Sequence, residues 1–422
     1  MLGRMQASSK TPLELSRRVS ALKPSATLAV TARVRELRAE GVDVISFGAG
    51  EPDFDTPPNI SQSAIDALKA GKTHYMPVAG DPAAREAIAH KLRCENDIKC
   101  TPRDIVISTG AKQSLYLALQ CLLEPGRGQE VVLPTPAWVS YRPMIELAGA
   151  RVVEVPGAID NDFKITPAQL DDAITDHTAV LVVNSPSNPC GTMYEPQELR
   201  ALAEVIAARG RVIVITDEIY EKLVYGGIAH FSLGSIESIA DRVVTINGLS
   251  KAYAMTGWRI GYACAPGSDG LIAAAIAKLQ GQVSSNITSF CYAAVVEALG
   301  NSAGEVERMR RVFAERAELI YQRLSAVPGV RCPRPAGAFY VFPDFSAHFG
   351  RRSAGGTLID SSQRFAEVLL EEARVAVVPG AEFGACGEGR VRLSFACSQE
   401  QITEGCRRID RFLRSLNNRP DS

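Results

Sequence analysis

The 422-residue sequence holds ten cysteines but no Cys-x-x-Cys pair, and none of its five histidines pairs with another at i, i+4 spacing. Such pairs are the usual framework of a zinc site or a reactive dithiol, so no catalytic metal is expected. The cysteines, from Cys94 to Cys406, are scattered through apolar segments and read as reduced, mostly buried thiols. An excess of charge of either sign is also missing. Forty-six Lys and Arg against 47 Asp and Glu leave a formal net charge of −1, which provides no basic field for nucleic acid or an anionic membrane. No apolar run is long enough to span a bilayer. Met1 to Lys10 lack the apolar centre and cleavage site of a secretory signal. The expectation is a cytoplasmic protein that acts on small molecules.

What is present is a large α/β chain. At this length a sizeable core is available and more than one domain is expected. The apolar runs Ile105–Ser108, Val131–Leu133, Val152–Val155, Ala179–Val183, Val212–Thr216, Val243–Ile246 and Ile260–Ala263 alternate with helical segments. Continuous β-branched runs of this kind predict a mostly parallel sheet of seven strands, sandwiched by helices. Val306, Met309, Phe313, Ala317, Ile320 and Leu324 recur at three- and four-residue steps and predict one long helix with an apolar stripe. Pro328-Gly329 ends it and opens a smaller α+β unit containing Gly337–Phe342, Val375–Gly380 and Val391–Phe395. The division expected is residues 1–58 as an N-terminal segment joining the small domain, 59–302 as the large domain, and 303–422 as the linking helix and the rest of the small domain.

The chemistry gathers around Ser250-Lys251-Ala252-Tyr253-Ala254-Met255-Thr256-Gly257-Trp258-Arg259-Ile260-Gly261. A lysine just past a buried strand, with few charges before Arg259, suits an amine held near neutrality for Schiff-base chemistry. Strand ends in such sheets are where small-molecule sites form. Ser108-Thr109-Gly110-Ala111-Lys112-Gln113 lies between a strand and a helix, where free N–H groups favour phosphate, although on its own it reads first as an ordinary βα turn. Gly48-Ala49-Gly50 follows a strand, but the third glycine of a dinucleotide fingerprint is missing and Pro52, Pro57 and Pro58 interrupt the helix it needs. Gly50 is instead read as a place where backbone approaches a ligand. Asp217 ends a strand, where a helix cap is the ordinary use. Asn188, before Pro189, has the wording of a turn. Arg392 is a charge inside a strand pattern and needs a partner if buried. Arg390, beside a glycine, is expected on a solvated rim.

The Lys251 segment resembles the Schiff-base segment Ser-Lys-x-x-x-x-x-Gly-x-Arg-x-Gly of fold-type I pyridoxal-phosphate aminotransferases, and Gly50-Glu51-Pro52-Asp53-Phe54-Asp55-Thr56-Pro57 is further wording of that family. The resemblance runs from Leu22-Lys23-Pro24-Ser25 to Arg392-Leu393-Ser394 and is nearest to the bacterial-type aspartate aminotransferases. It implies pyridoxal 5'-phosphate as cofactor and a homodimer with shared active sites, in which Tyr75 reaches the partner's cofactor phosphate. Lys251 is then the covalent anchor and base. Asp217 pairs with the pyridine nitrogen, Tyr220 and Asn188 bond the phenolic oxygen, and Trp138 stacks on the ring. Arg259, with Gly110, Ala111 and Lys112, holds the phosphate. Relatives often carry serine three residues before the lysine; Gly248 stands there, so Ser250 or backbone is expected to replace that contact. Arg392, with Asn188, Trp138 and Gly50, binds the substrate α-carboxylate.

The reaction implied moves the amino group of aspartate to a 2-oxo acid, 2-oxoglutarate, by a ping-pong route. Lys112, with Ser25 and Thr27 of the lead segment, is expected to hold the second carboxylate. The same groups suit prephenate, alone or in addition. A lyase or decarboxylase on this scaffold would keep Lys251, Asp217 and Arg392 but would need no oxo-acid acceptor. A non-catalytic binding protein would need no competent lysine.

Overall fold

The computed structural model describes residues 14–24 and 26–417. A short strand β1 (Ile45–Ser46) comes first. Seven further strands then form one sheet: β2 (Ile105–Thr109), β3 (Glu130–Thr135), β4 (Arg151–Pro156), β5 (Thr178–Asn184), β6 (Ile213–Asp217), β7 (Val243–Gly248) and β8 (Ile260–Cys264). Their order is β2-β8-β7-β6-β5-β3-β4. All neighbours are parallel except β8, which runs antiparallel to both β2 and β7. Every residue of β7 and β8 is buried, as expected of strands covered on both faces by helices. The chain is thus α/β with a mostly parallel seven-stranded sheet.

The long helix spans Ala303–Ser325, and its buried residues include all six of the expected apolar stripe. Beyond it, β9 (Tyr340–Val341), β10 (Val375–Ala376), β11 (Val378–Pro379) and β12 (Val391–Ser394) build the smaller unit. Its strands are shorter than the sequence runs suggested. β12 pairs antiparallel with β9 and β11, while β10 pairs in parallel with β1, Ile45 opposite Val375. A segment ahead of the seven-stranded sheet, β1, therefore joins the C-terminal strands in the small unit. One apolar cluster ties it to the long helix and to the segment after β6, with Phe47, Tyr220, Phe313, Phe339, Leu393 and Phe412 among its members.

Two glycines seat the helix that opens beside β2. Helix Ala111–Leu122 begins at Gly110, whose φ of +82° a residue with a Cβ rarely adopts. Gly261 on β8 lies directly beneath, and a Cβ there would overlap Ala111 N. The helix end consequently sits hard on the sheet. Among the described residues, no helix is long and apolar enough to cross a membrane.

Candidate active site

The C-terminal ends of β3, β5, β6 and β7 point the same way, and the segments leaving them converge on a cavity of about 490 Å³. Its lining includes Gly50, Ala111, Lys112, Trp138, Asn188, Asp217, Tyr220, Ser250, Lys251, Arg259 and Arg392. These residues come from positions 50 to 392, so only the fold brings them together.

Lys251 stands just beyond β7, and its Nζ donates to the Gly50 carbonyl at 2.6 Å. Burial lowers its pKa to about 8; Glu51 and Asp217 oppose the shift, and Arg392 and Arg259 add to it. The amine is therefore partly neutral near physiological pH, as a nucleophile or base requires. Asp217, 4% exposed at the end of β6, accepts from Tyr141 Oη at 2.7 Å and from Ile219 N at 3.2 Å. Burial pushes its pKa up to about 6 despite these donors. Asn184, at the end of β5, fixes the next turn: its Nδ2 donates to Asp217 O and its Oδ1 accepts from Asn188 N, each at 2.9 Å.

Arg392 is only 2% exposed. Its Nη1 donates to Asn188 Oδ1 at 3.1 Å and its Nη2 to Gly48 O at 3.0 Å. The guanidinium lies over the rings of Tyr340, at 4.6 Å, and Phe383, at 5.3 Å. Its Nε is buried without a partner. Among the described residues no carboxylate pairs with this cation, although burial without a counter-charge is costly. Arg390 does not lie on a solvated rim. It forms an ion pair with Asp344 at 2.9 Å and stacks on Phe163, because the turn after β11 folds over it.

Arg259, at the head of β8, packs against Gly110 so closely that a Cβ on the glycine would overlap its guanidinium. Its Nη1 donates to Thr256 O at 2.9 Å. The cation thus adjoins the open N–H groups of the helix starting at Ala111, a ready anion seat. Gly248 faces Gly261 across the strands, and a Cβ there would come within 2.7 Å of Ile260 O. A serine does not fit at that point of this backbone, whereas Ser250 is 7% exposed and lines the cavity. Lys112 Nζ lies 4.8 Å above the Trp138 ring, its pKa lowered by burial and by Arg259. Thr27 and Thr31 also line the cavity; Ser25 lies outside the described residues.

Tyr75 does not reach the cavity and is 90% exposed. Thr31, Leu115 and Ile219 escaped the sequence reading, as did three polar side chains whose contacts matter most. Tyr141 sits three places after Trp138, Asn184 ends a strand, and Tyr340 is one aromatic in Gly337–Phe342, a run that reads as core. Among the described residues one group of metal-type donors assembles, Glu218, Glu221 and His230. Its cation is already supplied by Lys91, which bonds Glu221 and, at 2.7 Å, Asn96.

A half-buried lysine just past a strand of a mostly parallel sheet, facing one cavity with a buried arginine of β12 that lacks a counter-charge, defines an α/β enzyme that handles amino or oxo acids. A model of the family described as aminotransferase class I and II matches residues 42–409. The chain belongs to that family and is a transaminase. It is 44% identical over 401 residues to an aspartate aminotransferase from Bacillus sp. (strain YM-2), covering 95% of this chain and 99% of that one. It is 45% identical over 404 residues to the aspartate/prephenate aminotransferase of Cereibacter sphaeroides, covering 96% and 99%. Among solved structures, an aspartate aminotransferase from Rhizobium meliloti superposes with a TM-score of 0.91 at 36% identity, over 96% of this chain and all of that one. The Thermus thermophilus aspartate aminotransferase with maleate gives 0.87 at 43% identity, over 95% and 100%.

Proposed function

We propose that this chain transfers the amino group of aspartate to a 2-oxo acid, 2-oxoglutarate, using pyridoxal 5'-phosphate. The observation that carries the reading is Arg392: a buried cation with a free Nε, facing the same cavity as the Lys251 amine. An α-amino acid is the ligand that brings a carboxylate to one and presents its α-carbon to the other.

The cofactor fits the residues present. Arg259 and the helix end beneath it match a phosphate, and the Trp138 ring offers a stacking face. Asp217 is a buried carboxylate in want of a cation, which a protonated ring nitrogen provides. Tyr220, 3% exposed, lines the cavity. Bound there, pyridoxal phosphate supplies an aldehyde carbon that accepts the amino group and a ring that draws electrons from the substrate α-carbon. Lys251 Nζ would take the α-proton and deliver it to the carbon that was the aldehyde; its pKa, about 8 in the cofactor-free protein, suits both acceptance and release. Asp217 would keep a proton on the ring nitrogen. Asn188 and Gly48 O fix the fork of Arg392, which orients the α-carboxylate.

Lys112, with Thr27 and Thr31, supports recognition of the second carboxylate. The same cation and hydroxyls support a dual aspartate and prephenate specificity, the second reading, which the name of the Cereibacter relative favours. We further propose a homodimer, consistent with the outward Tyr75, a cytoplasmic location, consistent with ten free cysteines, and the domain division at residues 58 and 302. Turnover of aspartate with 2-oxoglutarate, beside arogenate with its oxo-acid partner, tests the substrate. A visible absorbance band on loading with pyridoxal phosphate, bleached by aspartate, tests the cofactor; a wild type that shows neither sinks the reading.

A further inference from the structure

Tyr340 belongs to neither the lysine segment nor the carboxylate fork, yet it lines the cavity and touches both Tyr220 and Arg392. It lies on β9, 1% exposed, with its backbone paired to Ser394 of β12. Its hydroxyl is 3.1 Å from that of Tyr220, and the two rings meet edge to face at 5.8 Å. Its ring face lies 4.6 Å from the Arg392 guanidinium carbon. One side chain thus links the tyrosine at the proposed phenolic-oxygen position with the proposed carboxylate receptor.

A phenol has one proton to donate, and either of two facing hydroxyls can be the donor. The ambiguity is resolved when Tyr220 donates into the cavity to an anionic oxygen. Tyr340 must then donate to Tyr220, and a hydroxyl that accepts one bond donates the next more strongly. Resting on pyridoxal phosphate as the proposed cofactor, we propose that Tyr340 is a positioning residue with two separable tasks. Its hydroxyl fixes the direction and strength of the Tyr220 hydrogen bond, and its ring supports the Arg392 guanidinium.

The charged groups acting on this pair are Arg392 on β12 and, on Tyr220, Asp217 at the end of β6; Lys251 and Arg259, on either side of the loop between β7 and β8, and Glu51 in the strap after β1 line the same cavity. None of them takes the Tyr340 proton in place of Tyr220, because Tyr220 Oη is the partner its hydroxyl has.

The test uses the holoenzyme and reads the pH midpoint of its visible absorbance, together with KM for aspartate. Tyr340→Phe keeps the ring and removes the proton. A weaker Tyr220 bond leaves more negative charge on the cofactor oxygen to hold the proton of the lysine linkage, so the midpoint rises by about half a unit. Tyr340→Leu removes the ring as well and raises KM for aspartate about tenfold, the loss of a desolvated cation–π contact; KM in the Phe variant moves less. Tyr220→Phe raises the midpoint further, and in that background Tyr340→Phe adds no shift. An unmoved midpoint in Tyr340→Phe, or additive shifts in the double variant, overturns the hydroxyl's role, whatever happens to thermal stability. A wild type without a visible band overturns the cofactor reading and this role with it.

Discussion

Lys251 and Arg392 grip one backbone strap two residues apart, Lys251 Nζ at Gly50 O and Arg392 Nη2 at Gly48 O, at 2.6 and 3.0 Å. The strap is itself fixed from outside. Asp53 makes a bidentate ion pair with Arg316 of the long helix at 2.6 and 2.8 Å, and Thr56 bonds Ala254 O at 2.7 Å. The spacing between amine and carboxylate receptors is therefore set by rigid backbone rather than by two mobile side chains.

Replacing Lys251 with Ala removes the amine that reaches the strap at Gly50. Transamination is expected to fall by about 10⁴-fold or more, because nucleophile and base are lost together. The absorbance band should move to that of unlinked cofactor while the protein still binds it through Arg259. Retained turnover above about a tenth of wild type would assign the base elsewhere.

Arg392→Lys keeps a cation but loses the fork held by Asn188 and Gly48. A fall in kcat/KM for aspartate of about 100-fold is expected, chiefly through KM. Arg392→Met should bind still less, yet its cofactor-free form should melt at or above the wild-type temperature, since a buried cation lacking a counter-charge has been removed. Melting curves of both variants without substrate check the second half.

Lys112→Met separates the two carboxylates of the substrate. KM for aspartate should rise about tenfold, the value of one hydrogen bond to a charged group, with little change for alanine. Parallel kinetics with arogenate show whether the longer substrate uses the same cation; equal effects on alanine and aspartate would remove Lys112 from specificity.

Asp217 makes stability depend on pH. Its carboxyl is raised from an ordinary 3.8 to about 6 in the folded cofactor-free protein. The stabilisation from binding that extra proton is fully present below the unfolded value and is lost as pH rises through about 6. The shift is worth about 3 kcal/mol. Asp217→Asn, which stays neutral, should match the cofactor-free wild type near pH 4 and exceed it near pH 7 in denaturant titrations. Identical pH profiles for the two proteins would contradict the assignment.

The sheet was legible because its strands are uninterrupted β-branched runs, and the long helix because its six apolar positions all fall on one face. The lysine and arginine segments were legible because their chemistry is compressed into a few consecutive residues. Tyr141 and Tyr340 were not. Each looks like an ordinary core aromatic, and only the folded chain shows that its hydroxyl meets Asp217 or Tyr220. Arg390 misled for the same reason: Asp344, its partner, is 46 residues away in sequence and adjacent through a backbone bridge that continues the pairing of β9 with β12.

The guanidinium of Arg392, clasped between Tyr340 and Phe383 with one nitrogen unpartnered, makes the interior of this protein incomplete by one negative charge. On the proposed reading of Arg392 as the carboxylate receptor, any small carboxylate in solution competes to complete it. By mass action, each such anion adds stability as the logarithm of its concentration over its dissociation constant. A melting temperature taken in a succinate or citrate buffer is therefore a property of the protein and its buffer together.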